Sequence, residues 1–322
     1  MRTPTPRRAQ QSGDTLDIPR NELTGSVALV TGGGRGIGRL VGQALAGAGM
    51  AVGLVARSED ELTETVALIE AAGGVAASAT ADVSDVSAAA TAITKLRHEL
   101  GPVDLLINNA GIVGPVGPAW EVDPDTWWRT MEVNLRGTLL FTRLVLSEMV
   151  GRRRGRIVNL SSHAGVFRWP LVSAYSVSKA AVAKFTENLA RETHRHGISV
   201  FSVHPGLLPI GLAEPALATS SPPDSHEARV HAWIRQELAE GRGADPAAAV
   251  ELIIGLASGR YDELSGRQLS VHDDVDRALA RIDDVRDTEL YVLGVRTLST
   301  AAEQHSWRRR PAYAGHEMVT LA

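Results

Sequence analysis

The chain has 322 residues, of which 44% are apolar, and a formal net charge of -4 at pH 7. This small and mostly scattered charge does not indicate nucleic-acid binding. The sequence contains no cysteine, which excludes disulfides and thiolate metal sites. No apolar run approaches the roughly 18 residues that a membrane-spanning helix needs. We therefore expect a cytoplasmic protein that binds neither nucleic acid nor membrane.

The composition divides the chain into three parts. Residues 1–22 are rich in Pro, Arg, Gln and Thr and are predicted to form a disordered arm. Residues 23–275 alternate between strand-like and helix-like segments and are predicted to form a single domain. Residues 276–322 are predicted to be a C-terminal extension, with a solvated or disordered tail over 300–322.

The alternation predicts an α/β fold, a doubly wound, mostly parallel seven-stranded sheet with helices on both faces. The predicted strands are 26–31, 51–56, 75–80, 103–108, 156–161, 198–204 and 267–272. The predicted helices between them include 37–48, 60–71, 86–100, 134–150, 174–196 and 246–257. Ligands of such sheets bind beyond the carboxyl ends of the strands.

A glycine-rich turn, TGGGRGIG, follows the first predicted strand and precedes a predicted helix. A strand, a glycine turn and a helix N-terminus together present unpaired backbone N–H groups to a pyrophosphate. The glycines at 32, 36 and 38 allow the sharp turn and a close approach of the backbone to the ligand. The sequence therefore predicts a dinucleotide site here.

Tyr175 and Lys179 lie four residues apart in a predicted helix, so they share one helix face. We expect the Lys179 ammonium to favour the phenolate form of Tyr175. A free tyrosine has a pKa of roughly 10 and needs such help to exchange protons near neutral pH. Taken alone, the pair is equally compatible with an ordinary amphipathic helix.

Read in order, the motifs resemble the short-chain dehydrogenase/reductase family over about residues 24–275. They are TGGGRGIG, Asp82-Val83, NNAG at 108–111, Asn134, Ser162, Tyr175 and Lys179. The resemblance implies a Rossmann-type fold, and a catalytic set of Asn134, Ser162, Tyr175 and Lys179. Ser162, rather than Ser161, has the family's spacing to Tyr175.

The resemblance also implies a role for each catalytic residue. Tyr175 would be the general acid in reduction and the general base in oxidation, while Ser162 would bind the carbonyl oxygen. Lys179 would hold the nicotinamide ribose, and Asn134 would hold a water that links Lys179 to solvent.

The family's cofactor contacts fall on residues along the whole domain. They would be Gly32, Gly34, Arg35, Gly36, Ile37, Gly38, Arg57, Asp82, Val83, Asn109, Tyr175, Lys179 and Leu208. Asp82 would hold the adenine edge, and Asn109 would contact the adenosine side. Asn108 is expected to tie strands together. Ile210 stands where many relatives have threonine, so the carboxamide contact would fall to backbone groups near Leu208.

The end of the second predicted strand bears on the choice of cofactor. Ala56 stands where NAD-preferring relatives usually carry an acid, and Arg57 follows it. Arg35 lies within the glycine turn. Guanidinium groups bind phosphate bidentately. We expect NADP(H), with NAD(H) as the alternative.

Substrate specificity is expected from the irregular segments, because loops on a rigid scaffold usually carry it. Residues 207–245 are predicted to form a lid with an amphipathic segment at 226–240, which contains Trp233. Further wall residues are expected from Val113, Pro115, Val116, Phe167, Arg168 and Trp169. Arg168 is the one obvious charge. We therefore expect a medium-sized apolar ketone or alcohol, either with or without an acidic group.

His163 and His204 flank the predicted site. Each could contact substrate or be an ordinary histidine with a satisfied hydrogen bond. No third histidine or carboxylate stands at a spacing typical of a metal site, so no metal is expected.

Three functions fit these observations. The first is an NADP(H)-dependent oxidoreductase that interconverts a ketone and a secondary alcohol. The second is an NAD-dependent alcohol dehydrogenase that works oxidatively, and the third is a non-catalytic dinucleotide-binding regulatory protein. The resemblance further implies a homodimer or homotetramer, built through the long helices after Asn134 and after Ser173.

Overall fold

The computed structural model describes residues 23–218 and 221–294. The predicted N-terminal arm (1–22) and tail (300–322) lie outside these residues. Up to Val292, the described chain belongs to one compact unit.

Seven parallel strands form one sheet in the order β3-β2-β1-β4-β5-β6-β7. The strands are β1 Val27–Thr31, β2 Ala51–Ala56, β3 Val75–Thr80, β4 Leu105–Asn108, β5 Gly155–Leu160, β6 Ile198–His204 and β7 Gln268–Ser270. The strand order reverses between β1 and β4, the point at which doubly wound sheets bind ligands. The predicted fold class is confirmed.

The helices follow the strands at short intervals. They are α1 Gly36–Gly47, α2 Glu59–Ala71, α3 Val86–Leu100, α4 Pro124–Met131, α5 Gly137–Arg152, α6 Ser173–Thr193, α7 Glu214–Ala218, α8 His226–Ala239, α9 Pro246–Ala257, α10 Val275–Ala280 and α11 Ile282–Asp287. Ser58, Asp85 and Asp245 cap α2, α3 and α9, each accepting a hydrogen bond from a first-turn N–H. None of the helices in the described ranges is long and apolar enough to cross a membrane.

Two predicted elements differ from the structure. The helix expected from residue 134 is preceded by α4 and a π-helical turn, Glu132–Arg136, which leads into α5. The last strand ends at Ser270 rather than at 272. There Asp273 Oδ2 accepts a hydrogen bond from the Ser270 backbone N–H (2.7 Å), so the side chain caps the strand end as the chain turns.

The core has two apolar layers, one on each face of the sheet. Successive strand residues fall in different layers, as with Leu106 and Ile107 or with Val200 and Phe201, because side chains alternate along a strand. Helices α1, α2 and α9 contribute to one layer, and α3, α5 and α6 to the other. Each fully buried Leu, Ile or Phe contributes roughly 1.5–3 kcal/mol to folding.

Residues 276–292, assigned to the extension from the sequence, belong to the same compact unit as the sheet. Ala278 of α10 and Val285 of α11 are buried in the layer that contains Phe201. The Tyr291 carbonyl accepts a hydrogen bond from the Gln268 backbone N–H (2.8 Å) in β7. The compact part of the chain therefore continues to Val292.

A buried polar ladder joins the central strands to two helices. Asn108 Nδ2 donates to Asn159 Oδ1 (2.8 Å) and to Thr142 Oγ1 (3.1 Å). Asn159 Nδ2 donates to Thr186 Oγ1 (2.9 Å). Asn108 thus ties β4 to β5 and α5, as predicted from the sequence.

Candidate active site

A cavity of about 710 Å³ opens at the carboxyl ends of the strands. All of the predicted site residues except Asn134 line it. They are Gly32, Gly34, Arg35, Gly36, Ile37, Gly38, Arg57, Asp82, Val83, Asn109, Ser162, Tyr175, Lys179 and Leu208. Residues far apart in the sequence are therefore brought to one place by the parallel strands.

The glycine turn forms one end of the cavity. Gly32 and Gly36 have φ angles of +65° and +54°, in the left-handed region that favours glycine. A Cβ on Gly38 would collide with the Gly32 carbonyl oxygen. Asn109 Nδ2 donates to the carbonyls of Thr31 (2.9 Å) and Gly32 (3.0 Å), so this side chain fastens the turn to the end of β4.

The turn fits the phosphates of a dinucleotide. Helix α1 begins at Gly36, no side chain in the described part of the chain caps its N-terminus, and its first turn contains no acidic residue. Its first backbone N–H groups can therefore donate hydrogen bonds to an anion, and the helix dipole also favours an anion at this end. Gly32, Gly36 and Gly38 would hold the pyrophosphate there.

The adenosine end of the cavity is rich in charge. Arg35 Nη1 lies 2.6 Å from Glu214 Oε2, and its Nε lies 3.6 Å from Glu61 Oε1. Arg57 is exposed and lines the cavity beside Ala56. Arg35, Arg57 and Glu61 thus line the cavity that the sequence predicts to hold the adenosine ribose, and Glu214 pairs with Arg35.

Asp82 is held by its neighbours. Its Oδ2 accepts a hydrogen bond from Arg129 Nη2 (2.5 Å), and its Oδ1 accepts from the Ser84 backbone N–H (2.9 Å) and hydroxyl (2.7 Å). Burial by itself raises the pKa of Asp82, but the Ser84 hydrogen bonds and the Arg129 charge outweigh it and lower the pKa. The carboxylate is therefore ionised and fixed, and its predicted adenine contact stays a prediction.

Ser162, Tyr175 and Lys179 all line the cavity, and the side chains of Tyr175 and Ser162 share a hydrogen bond. Ser162 follows β5, and its Oγ accepts a hydrogen bond from the Ala164 backbone N–H (3.1 Å). Lys179 Nζ donates to the Leu160 carbonyl (2.7 Å) and lies 5.7 Å from the centroid of the Tyr175 ring. The neighbouring Ser161 hydroxyl donates instead to the Lys179 carbonyl (3.1 Å), supporting α6.

The electrostatics of this group differ from the sequence-based expectation. Burial raises the pKa of Tyr175, and the hydrogen bond with Ser162 only partly opposes this rise. Burial also lowers the pKa of Lys179 to about 8. The prediction that Lys179 makes the phenol more acidic is therefore wrong for the protein as it stands. Desolvation disfavours both the Tyr175 phenolate and the Lys179 ammonium, and it is the largest cause of both pKa shifts.

Asn134 is fully buried in the π-helical turn and lies outside the cavity lining. Its Oδ1 accepts from the Ile112 backbone N–H (2.8 Å), and its Nδ2 donates to the Ile112 carbonyl (2.9 Å) and to Ser178 Oγ (2.9 Å). The side chain joins the loop after β4 to α6, one residue before Lys179. Its predicted role in a water relay stays a prediction.

Comparison with known proteins decides the family. A family profile described as short chain dehydrogenase matches residues 26–218. The chain belongs to the short-chain dehydrogenase family. Because relatives of this family are named dehydrogenases and reductases, the protein is an NAD(P)-dependent oxidoreductase.

Individual relatives support this assignment. A short chain dehydrogenase of Pseudocercospora fijiensis is 41% identical over 206 residues, which are 63% of this chain and 66% of that protein. An actinorhodin polyketide ketoreductase with NADPH is 31% identical, with a TM-score of 0.70 over 78% of this chain and 96% of that one. An NAD+-bound xylitol dehydrogenase is 27% identical, with a TM-score of 0.70 over 77% of this chain and 98% of that one.

In this short-chain dehydrogenase, α8 forms one wall of the cavity together with the loop before α6. Val230, Trp233 and Ile234 of α8 line the cavity, and the Trp233 ring meets Trp169 edge-on with ring centroids 4.7 Å apart. Val113 lines it as predicted, whereas Pro115 and Val116 do not. The wall is thus largely apolar and aromatic.

The predicted role of Arg168 in the wall is wrong. Arg168 and Phe167 are exposed and do not line the cavity, while Trp169 of the same segment does. The charged residues of segment 207–245 that line the cavity are instead Glu237 and Arg242, which pair with each other (2.6 Å). Arg168 therefore no longer supports the expectation that the substrate carries an acidic group.

A third histidine joins the two that the sequence singled out. The rings of His163 and His204 have centroids 3.8 Å apart, and the His272 ring lies 6.2 Å from each. All three line the cavity. His272 lies two residues after the end of β7, so its position at the carboxyl edge of the sheet was the signal that sequence reasoning missed. Among the described residues, no group of acidic, Cys or His side chains is arranged to hold a metal.

Proposed function

We propose that the protein is an NADP(H)-dependent ketone reductase that converts a ketone into a secondary alcohol. The observation that carries the proposal is the shared cavity, which is lined both by the glycine turn and by Ser162 and Tyr175. A dinucleotide held at the turn would share this cavity with the two hydroxyl groups. When bound, the nicotinamide supplies the hydride.

In this proposal the chain's own residues position the ketone and move one proton. The Ser162 hydroxyl donates a hydrogen bond to the carbonyl oxygen, which orients it toward Tyr175. The Tyr175 phenol gives its proton to that oxygen as the alcohol forms. Lys179, fixed by the Leu160 carbonyl and 5.7 Å from the centroid of the Tyr175 ring, would hold the nicotinamide ribose.

The direction follows from the raised pKa of Tyr175. A phenol with a pKa above its usual range is protonated at neutral pH, which is the form that reduction requires. Oxidation would need the phenolate as base, and burial disfavours that form. The raised pKa of Tyr175 therefore supports reduction as the proposed direction.

NADP(H) is favoured because Arg35 and Arg57 lie at the adenosine end and no carboxylate occupies position 56. A 2′-phosphate suits two guanidinium groups. NAD(H) is the second candidate, since Glu61 and Glu214 lie beside Arg35 and repel added negative charge.

We also propose a homodimer or homotetramer. Leu139 of α5 and Val177 of α6 are each 46% exposed, which leaves apolar side chains on the surfaces of the two long helices. Such positions are typical of helix packing between subunits.

The proposed function is tested by adding ketones of increasing size to the protein with NADPH or NADH and following loss of cofactor absorbance. We expect ketone-dependent oxidation of NADPH that exceeds that of NADH. The control is NADPH binding without ketone, measured by intrinsic fluorescence. Cofactor binding without turnover of any ketone would overturn the proposal.

A further inference from the structure

The three clustered histidines lie at the ends of three adjacent strands. His163 follows β5 one residue after Ser162, His204 ends β6 and His272 follows β7. Because β5, β6 and β7 are neighbours in the sheet, their carboxyl ends meet at one edge. The cluster therefore borders the cavity on the side of Ser162, away from the glycine turn.

The centre of the cluster contains an unsatisfied polar atom. The His204 side chain is 8% exposed, and its Nδ1 is buried without a hydrogen-bond partner among the described residues. Buried polar atoms are nearly always paired, and an unpaired one costs free energy. The described residues thus leave hydrogen-bonding capacity of His204 unused, and the His204 ring lines the cavity.

Burial disfavours the charged forms of two of the three rings, His163 and His204. Burial lowers the pKa of His204 to about 3, and the adjacent His163 and His272 add to this. Burial likewise lowers the pKa of His163. A neutral imidazole offers one N–H donor and one nitrogen acceptor.

We propose that His163, His204 and His272 form a substrate subsite that binds an uncharged oxygen, a hydroxyl above all, next to the reacting carbonyl. The inference rests on the proposed function and adds the substrate class to it. The substrate is then an oxygenated ketone, with apolar parts packed against Trp169 and Trp233. A hydroxyl matches the subsite because it both donates and accepts, as a neutral imidazole does.

The test compares three ketones of matched length: methyl propyl ketone, its terminal hydroxy derivative, and levulinate, which ends in a carboxylate. Each is titrated by calorimetry into the protein saturated with its oxidised cofactor, so no turnover is needed. We expect the hydroxyketone to bind about tenfold more tightly than the other two, the scale of one well-placed hydrogen bond.

The variants His204→Leu and His272→Leu should each reduce this preference to about twofold or less. His272 is exposed, so its replacement leaves the buried pair intact if His204→Leu fails to fold. His98→Leu, at an exposed helix position far from the cavity lining, is the matched control and should keep the wild-type preference.

Equal binding of the three ketones, no measurable binding of any, tighter binding of levulinate, or an unchanged preference in both variants would overturn the subsite. Failure of the proposed function is distinguishable, because it would appear as absent ketone-dependent cofactor oxidation. The calorimetric comparison does not depend on that oxidation.

Discussion

The Arg35 guanidinium forms an ion pair with Glu214, with Nη1 and Oε2 2.6 Å apart. Glu214 opens α7, and its Oε1 also accepts a hydrogen bond from the Gly211 backbone N–H (2.8 Å). The ion pair therefore links the glycine turn to the chain around Gly211 and the start of α7. Any phosphate that binds Arg35 must compete with this carboxylate.

Replacing Glu214 by Gln should raise the affinity for NADPH. The variant keeps the size of the side chain but removes the charge that competes for Arg35. We expect a gain of about two- to fivefold for NADPH, the range for an exposed ion pair, and no gain for NADH. Fluorescence titration measures both. The control is Glu64→Gln, which removes a similar pair with Arg39 outside the cavity lining. An equal gain for NADH would contradict the explanation.

Arg57→Asp should reverse the cofactor preference. The arginine lines the cavity at the end of β2, and an aspartate there would accept hydrogen bonds from ribose hydroxyls and repel a 2′-phosphate. We expect NADPH affinity to fall by about tenfold or more, with NADH affinity unchanged or higher. The measurement is the ratio of the two dissociation constants. A ratio that does not move would remove Arg57 from cofactor selection.

Gly38→Ala should distort the glycine turn. Its added methyl would meet the Gly32 carbonyl and Asn109 Nδ2, which cannot move without shifting the turn. We expect a loss of about 1–3 kcal/mol in the free energy of unfolding and a clear loss of cofactor affinity. Gly47→Ala in the same helix is the control. Its methyl meets nothing within 4 Å, so stability should change by about 1 kcal/mol or less. Equal behaviour of the two variants would contradict the packing argument.

Burial of Lys179 should make stability depend on pH. Its pKa is about 8 in the folded chain against 10.5 for the unperturbed group. Between these pH values the unfolded chain binds a proton that the folded chain does not, so stability rises with pH across that window. We expect the cofactor-free protein to gain stability there by an amount on the order of 1–3 kcal/mol relative to Lys179→Met. Denaturant unfolding at several pH values measures this difference. If the difference in the free energy of unfolding between the two proteins did not change with pH, the Lys179 ammonium would be well solvated.

Local signals explain why much of the fold was predictable. Helices α3 and α9 begin after the caps Asp85 and Asp245, and their predicted bounds match the structure. The glycine turn could be recognised because its backbone conformation requires glycine at fixed positions. Most residues of the cavity could be predicted because a parallel sheet places the carboxyl ends of its strands at one edge.

Features that depend on distant contacts were not predictable. The pairing of Arg35 with Glu214 joins residues 179 positions apart, and no sequence pattern marks it. The raised pKa of Tyr175 comes from burial by the whole fold, which outweighs the hydrogen bond with Ser162. The sequence suggested a wall position for Arg168 because it was the one obvious charge in these segments. In the structure Arg168 is exposed, and Trp169 lines the cavity instead.

The proton that Tyr175 is proposed to give to the substrate oxygen is tested most directly by Tyr175→Phe. The measurement is turnover of a ketone that the wild-type protein reduces, alongside the dissociation constant for NADPH. We predict that turnover falls by about 10²–10⁴-fold, as for loss of a general acid, while NADPH binding stays within about twofold. Turnover within a few-fold of the wild type, with the cofactor bound normally, would contradict the mechanism.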